Sequence, residues 1–188
     1  MSQTPEKQTL EDTLARAAQG DEDAWRRIVE TYSARVYGLL RAQCGSAELA
    51  EEITQSTFCT IVAKIGGYTE LGRFESWLFR IAVNRLRDEM RRRKRQATPT
   101  EAETLAGLAA SEGRSGAASE GPDEGELQAL RGAVAQLSDA DQRIIHLRHF
   151  AQLSFRQIAD VLDQPLGTVL ARQHRALKKL RELMGGES

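Results

Sequence analysis

The sequence predicts an all-α protein: two small helical domains joined by a flexible acidic linker. Aromatic residues make up only 5% of a chain that is 40% hydrophobic, and no run alternates apolar and polar residues as a half-buried strand would. The stretch from Thr98 to Glu126 is rich in Gly, Ala, Ser and Glu, and too poor in large apolar groups to build a core. On both sides of it, apolar residues return every three or four positions. The predicted domains are therefore residues 1–96 and 127–184, with a linker over 97–126.

In the first domain a weak helix is expected near Leu10 and Leu14. Trp25, Ile28, Val29, Tyr32, Val36, Leu39 and Leu40 then recur at helical spacing, and Gly45 suits a helix stop. Leu49, Ile53, Phe58, Ile61, Val62 and Ile65 define the buried side of the next helix, which Gly66-Gly67 ends. GGYTELGRF reads as a loop. Trp77, Leu78, Ile81, Ala82, Leu86 and Met90 give the following helix its stripe before it runs into RRRKR.

The second domain opens with a helix marked by Leu130, Val134 and Leu137. Ser138 with Asp141, and Ser154 with Gln157, fit capping boxes, each followed by an apolar run. Pro165 suits the first position of a last helix whose inner face is Val169, Gln173, Ala176 and Leu180. Two short helices joined by a tight turn, the second strongly basic, form a helix-turn-helix signature.

Composition removes several classes of function. No run of about 18 apolar residues exists, so membrane insertion is not expected. The N-terminus lacks the apolar core of a secretory signal, so a cytoplasmic location is expected. Cys44 and Cys59 lie far apart without CxxC spacing and read as two buried thiols. His146 and His149 are three apart, but no Cys or carboxylate is spaced to complete a metal site. No phosphate loop or nucleophile elbow is present, so neither enzyme, cofactor nor metal is expected.

A net charge of −1 conceals a strong asymmetry. Residues 73–95 carry nine bases and three acids, and residues 166–181 five bases and no acid, whereas residues 96–126 carry seven acids and one base. Two basic stretches on an acidic chain suggest two contacts with a polyanion. On the last helix Thr168, Ala171, Arg172 and Arg175 share the face opposite the apolar one, and Lys178, Lys179 and Arg181 extend the charge. Arginine can bond a guanine edge through two donors, and lysine neutralises phosphate.

LSFRQIADVLDQPLGTVLARQHRALKKLREL resembles the promoter-binding region four of bacterial sigma factors. Leu170 and Ala171 stand where that family often has Lys and Ser. AEEITQSTFCTIVAKI resembles the polymerase-binding helix of the same family, with Gln55 and Phe58 in the expected places, Glu52 for the usual Asp and Ser56 for a frequent Glu. RFESWLFRIAVNRLRDEMRRRKR resembles the region-two helix that binds and melts the minus-ten element. With only two such domains visible, the chain resembles the extracytoplasmic-function type.

The resemblance implies a region-two-like bundle, a region-four-like helix-turn-helix, and three partners: core RNA polymerase through its β and β′ subunits, promoter DNA, and an anti-sigma protein as a candidate inhibitor. It implies polymerase contacts at Glu51, Glu52, Gln55 and Phe58. It implies minus-ten contacts at Tyr68, Arg73, Asn84, Arg85, Arg91 and Arg92, and minus-thirty-five contacts at Thr168, Ala171, Arg172, Arg175, Lys178 and Lys179. Melting is offset when an extruded base enters a pocket, and the loop from Gly66 to Phe74 is placed to form one. Trp77 fits both a core residue and a base-stacking wedge, and its place in the apolar stripe favours the core. Asp88 is expected to orient a neighbouring arginine.

Two other classes compete. A helix-turn-helix regulator acting alone on duplex DNA leaves WLFRIAVNRLRDEM unexplained. An interaction protein built on amphipathic helices leaves Arg172 and Arg175 unexplained. The linker composition predicts that the two domains move independently in the free protein. The short tail after Leu183 predicts inhibition by a separate partner or by expression level, not by an appended domain.

Overall fold

The computed structural model describes residues 5–96 and 124–185. Among them the regular structure is helical: α1 (Pro5–Ala18), α2 (Glu22–Cys44), α3 (Ala47–Lys64), a 3-10 turn (Ile65–Gly67), α4 (Phe74–Gln96), α5 (Glu124–Ala135), α6 (Asp139–His149), α7 (Phe155–Leu162) and α8 (Leu166–Leu183).

The helix ends follow local chemistry. Asp21 caps α2 by accepting from the Ala24 amide at 3.0 Å, and Gly45, at φ 72°, turns the chain out of it. Ser46 caps α3 through the Leu49 amide. Ser154 and Gln157 form the expected capping box on α7. At α6, Ser138 accepts from the Asp141 amide, but its hydroxyl donates to the Asp141 carboxylate at 2.7 Å, so the reciprocal half of the expected box is missing. Asp163, at φ 53°, makes the turn between α7 and α8. Pro165 is the cap before α8, one position earlier than expected.

Residues 97–123 of the expected linker lie outside the described residues. Glu124 to Glu126, placed in the linker, form the first turn of α5. Their acidic side suits a helix start, where partial positive charge collects.

In the first half α2 packs on α1, α3 and α4, burying Ile28, Tyr32, Val36, Leu39 and Leu40 against Leu49, Ile53, Ile61, Leu78 and Ala82. In the second half α8 packs on α5, α6 and α7. The two halves share one core: Ile144, Leu147, Leu153, Ile158, Val161 and Val169 are continuous with the apolar cluster of the first half. A smaller cluster of Ala133, Leu137, Ile145, Ala176 and Leu180 lies under α5. The expected independence of the halves is therefore not what the structure shows.

Several stripe residues depart from expectation. Val29, Val62, Met90 and Leu130 are exposed. Phe74, Phe79 and Val83 are buried although the α4 stripe omitted them. The two thiols are not both buried: Cys59 is exposed, and Cys44 is half-buried with its thiol donating to the Ser46 carbonyl. Position 59 faces away from the Ile53–Thr57–Ile61 row that carries α3 into the core.

Candidate nucleic-acid interface

The loop after α3 is held by its own side chains. The Glu70 carboxylate accepts from the Gly72 and Arg73 amides, and Gly72 adopts φ 75°. That left-handed geometry favours a residue without Cβ. Phe74 is fully buried, edge-on to Tyr32 at 5.5 Å and to Tyr68 at 5.9 Å. Tyr68 stacks on Trp77 with centroids 4.5 Å apart and planes 18° apart. Its hydroxyl donates to Glu70 at 3.0 Å, and burial together with that carboxylate pushes the phenol pKa well up. Trp77 is half-buried against the core, with Tyr68 over its ring. It is a core residue that remains partly exposed. Arg73 is exposed beside this cluster.

Between α3 and α4 runs a polar groove of about 530 Å³ whose lining includes Ser56, Thr60, Lys64, Ile81, Asn84 and Asp88. The expected pocket was formed by the loop from Gly66 to Phe74 beside α4; the groove is instead lined by α3 and α4, and no residue of that loop lines it. Asn84 is exposed on its rim. Arg85 differs from expectation: its guanidinium donates to the Ser56 and Thr60 hydroxyls and so ties α4 to α3. Ser56 and Thr60 stand four apart on α3, a one-face pair that the sequence reading did not connect to Arg85. Among the described residues Asp88 pairs with no arginine; the carboxylate that orients arginines is Glu89. It accepts from Arg92 Nε at 2.7 Å and Arg93 Nε at 2.9 Å, and these bonds hold its pKa down to about 2. Arg92 is thus engaged, while Arg91 is exposed.

On the outer side of α3, Glu51, Glu52 and Gln55 are exposed and Phe58 is half-buried at the edge of the core. Glu52 also lies 3.8 Å from Arg93. These four share a surface because Ile53, Thr57 and Ile61 commit the opposite side to packing.

On α8, Thr168, Ala171, Arg175 and Lys178 are exposed in one row. Lys179 is exposed but donates to the Gln136 carbonyl at 2.7 Å. Arg172 is only half-exposed and leans back toward α6, with a nitrogen 3.9 Å from Asp141. The expected outward Arg172 is therefore partly drawn into the packing of the motif. Asp141, 31 residues upstream, carries no signal of this beyond its role at the α6 start. Among the described residues no group of His, Cys, Asp or Glu could hold a metal ion, and no helix is long and apolar enough to cross a membrane.

The family model for sigma-70 region 2 matches residues 28–96, and that for sigma-70 region 4 matches residues 133–182. The chain is 27% identical over 184 residues to the ECF RNA polymerase sigma factor SigW of Bacillus subtilis, covering 92% of this chain and 95% of that one. It is 29% identical over 175 residues to the RNA polymerase sigma factor CarQ of Myxococcus xanthus, with 92% and 95% covered. Its fold is similar to CnrH, solved in complex with the cytosolic domain of CnrY, at a TM-score of 0.67 and 21% identity over 95% of this chain and 98% of that one. It is similar also to RpoE of Bartonella quintana, solved with the anti-sigma factor NepR, at a TM-score of 0.69 and 22% identity, covering 87% and 98%.

Proposed function

The chain belongs to the sigma-70 family of RNA polymerase sigma factors, of the extracytoplasmic-function type, and from that premise we propose that its first half holds core polymerase and the minus-ten element while its last helix reads the minus-thirty-five element. The domain division is residues 1–96 and 124–184, with 97–123 joining them across the enzyme. The chain supplies promoter choice and works in the cytoplasm, and polymerisation belongs to the core enzyme. An anti-sigma protein is a candidate partner.

The observation that carries the reading is the polar groove rimmed by Asn84, with Trp77, stacked on Tyr68, seven residues before Asn84 on the same side of α4. An unpaired base needs a flat aromatic side and an amide to read its edge, and Trp77 and Asn84 stand about two turns apart along α4. Arg73 and Arg91 supply phosphate contacts on either side, and Arg85 fixes the groove wall. A regulator that binds only duplex DNA has no use for this groove. Run-off transcription with core polymerase separates the two: promoter-dependent transcripts are expected, and duplex binding without initiation would favour the lone regulator.

For the polymerase contact, the exposed Glu51, Glu52 and Gln55 with the half-buried Phe58 suit a basic surface with an apolar edge. A Glu52→Arg, Gln55→Ala double variant is expected to weaken assembly with core enzyme while melting like wild type. Wild-type retention in a pull-down would refute this assignment.

For the minus-thirty-five element, Arg175 is the exposed arginine of the α8 row. Arg175→Ala is expected to cost about 1–3 kcal/mol and relax preference at one base pair. Lys178→Ala should weaken all sequences alike and lower the salt slope by about one. Arg172→Ala should lose affinity through the α6–α8 packing as well, since Asp141 is its neighbour. A binding selection in which Arg175→Ala keeps the wild-type preference would refute the reading face.

A further inference from the structure

We propose that the N-terminal half of α8 selects thymine by its methyl group, with Leu170 and Ala171 as the specificity-determining residues. The inference deepens the minus-thirty-five reading of α8 and rests on it.

Charge is divided along the length of α8. Residues 166–171, LGTVLA, carry no ionisable side chain. Arg175, Lys178, Lys179 and Arg181 are exposed farther along. Arg172, the arginine nearest the start, is only half-exposed, with a nitrogen 3.9 Å from Asp141. The division matters because a recognition helix in the major groove brings its N-terminal residues to the base edges. Here that end is largely apolar. Leu170 is 43% exposed, Ala171 beside it is exposed, and Leu166 is exposed one turn earlier. Val169 supplies this turn's contact with the core. Leu170 lies about 100° around the helix from Val169, on the flank that leads to the row of Ala171 and Arg175.

Among the base edges in the major groove, only thymine presents an apolar group, its C5 methyl beside the O4 acceptor. Guanine presents two acceptors, adenine an acceptor and an amino donor, and cytosine an amino donor. A leucine laid over any of those three removes water from a polar edge and returns no hydrogen bond. Over thymine the same side chain meets the methyl and gains from its burial. Leu170 therefore selects in both directions, by attraction to thymine and by rejection of the polar edges. Ala171 extends the apolar patch toward Arg175. Four residues separate Ala171 from Arg175, about 6 Å along the helix axis. That is close to two base-pair steps of about 3.4 Å each. The selected thymine is thus expected about two base pairs from the pair that Arg175 reads. The cations of the C-terminal part supply affinity for phosphate, which is blind to sequence.

The test uses core polymerase reconstituted with the full chain. A binding selection on a randomised minus-thirty-five element should return thymine about two base pairs from the position whose preference Arg175→Ala relaxes. Deoxyuridine, which lacks only the C5 methyl, then replaces each selected thymine. Wild-type binding should weaken about fourfold for each contacted methyl. A Leu170→Ala, Ala171→Ser double variant should melt like wild type, since both positions are exposed, and should bind the thymine and deoxyuridine forms nearly alike. Leu170→Met, which keeps an apolar side chain, should retain the wild-type ratio. A purely structural role for Leu170 would weaken binding to both forms together and leave their ratio unchanged. An unchanged ratio in the double variant would overturn the proposal. So would a selected element without thymine at that distance, or wild-type binding indifferent to deoxyuridine. If Arg175→Ala leaves the whole preference intact, the minus-thirty-five reading of α8 fails, and this inference with it.

Discussion

Phe74→Ala is expected to cost about 3–5 kcal/mol of stability and to abolish promoter opening in the fraction that still folds. Phe74 is 1% exposed and begins α4, so its ring is the wedge between the helix start and α2. Its neighbours are the rings of Tyr32, Tyr68 and Trp77 at 5.5, 5.9 and 6.0 Å. Truncation removes the ring contacts to all three and leaves a cavity that the helix end cannot collapse into without moving the loop. Tyr68 then loses one of its two aromatic supports, and the Tyr68–Trp77 stack loosens. Denaturant unfolding measures the first effect. Permanganate reactivity of promoter thymines in the complex with polymerase measures the second. Phe74→Leu, which refills most of the volume, should recover most of the stability and less of the opening. Opening equal to wild type in Phe74→Ala at a temperature where it is folded would separate the aromatic cluster from melting.

The second large effect is a loss of stability in mild acid. His146 on α6 is 7% exposed, with its Nδ1 buried and lacking a hydrogen-bond partner. Burial, and to a lesser degree the nearby His149, push its pKa down to about 4 from an ordinary 6.5. The folded state therefore holds the ring neutral where the unfolded chain binds a proton. Stability from this group is complete above pH 6.5, declines as the pH falls from 6.5 to about 4, and levels off below. The full loss is about 3 kcal/mol. Glu89, held at about 2 by Arg92 and Arg93, contributes its own loss only below its ordinary range near 4.5, so the two windows are distinguishable. Thermal unfolding at pH 7, 5.5 and 4 should show the decline in wild type. His146→Leu should flatten it between pH 6.5 and 4.5. An unchanged slope in that variant would place the acid sensitivity elsewhere.

Much of the fold was legible in the sequence because its causes are local. Gly45, Ser46 and the Ser154–Gln157 pair mark helix ends through bonds that span at most four residues. The exposed rows Glu51–Glu52–Gln55 and Thr168–Ala171–Arg175 follow from helical period once Ile53 and Val169 are assigned inward. Edge positions were less legible. Val62 lies off one flank of the α3 stripe, and the pattern alone does not say which flank a neighbour will cover.

What the sequence by itself determined is thus the helical class, two basic faces, and the family to which its motifs belong. Only the tertiary structure decided how those faces are wired. Arg85 meets Ser56 across 29 residues, Arg35 meets Glu75 across 40, and Arg35 meets Ala151 across 116. Phe79 and Val83 are buried as a second row on α4, about 100° around from Leu78 and Ala82, on a helix that packs on α7 as well as on α2 and α3. Periodicity reports which side of a helix is apolar. It carries no information about how many partners the helix has, because that depends on where the chain returns. A guanidinium reads as a base-reader from its exposure on a helical wheel. It becomes a strut only when an acceptor from a distant segment arrives within about 3 Å of it.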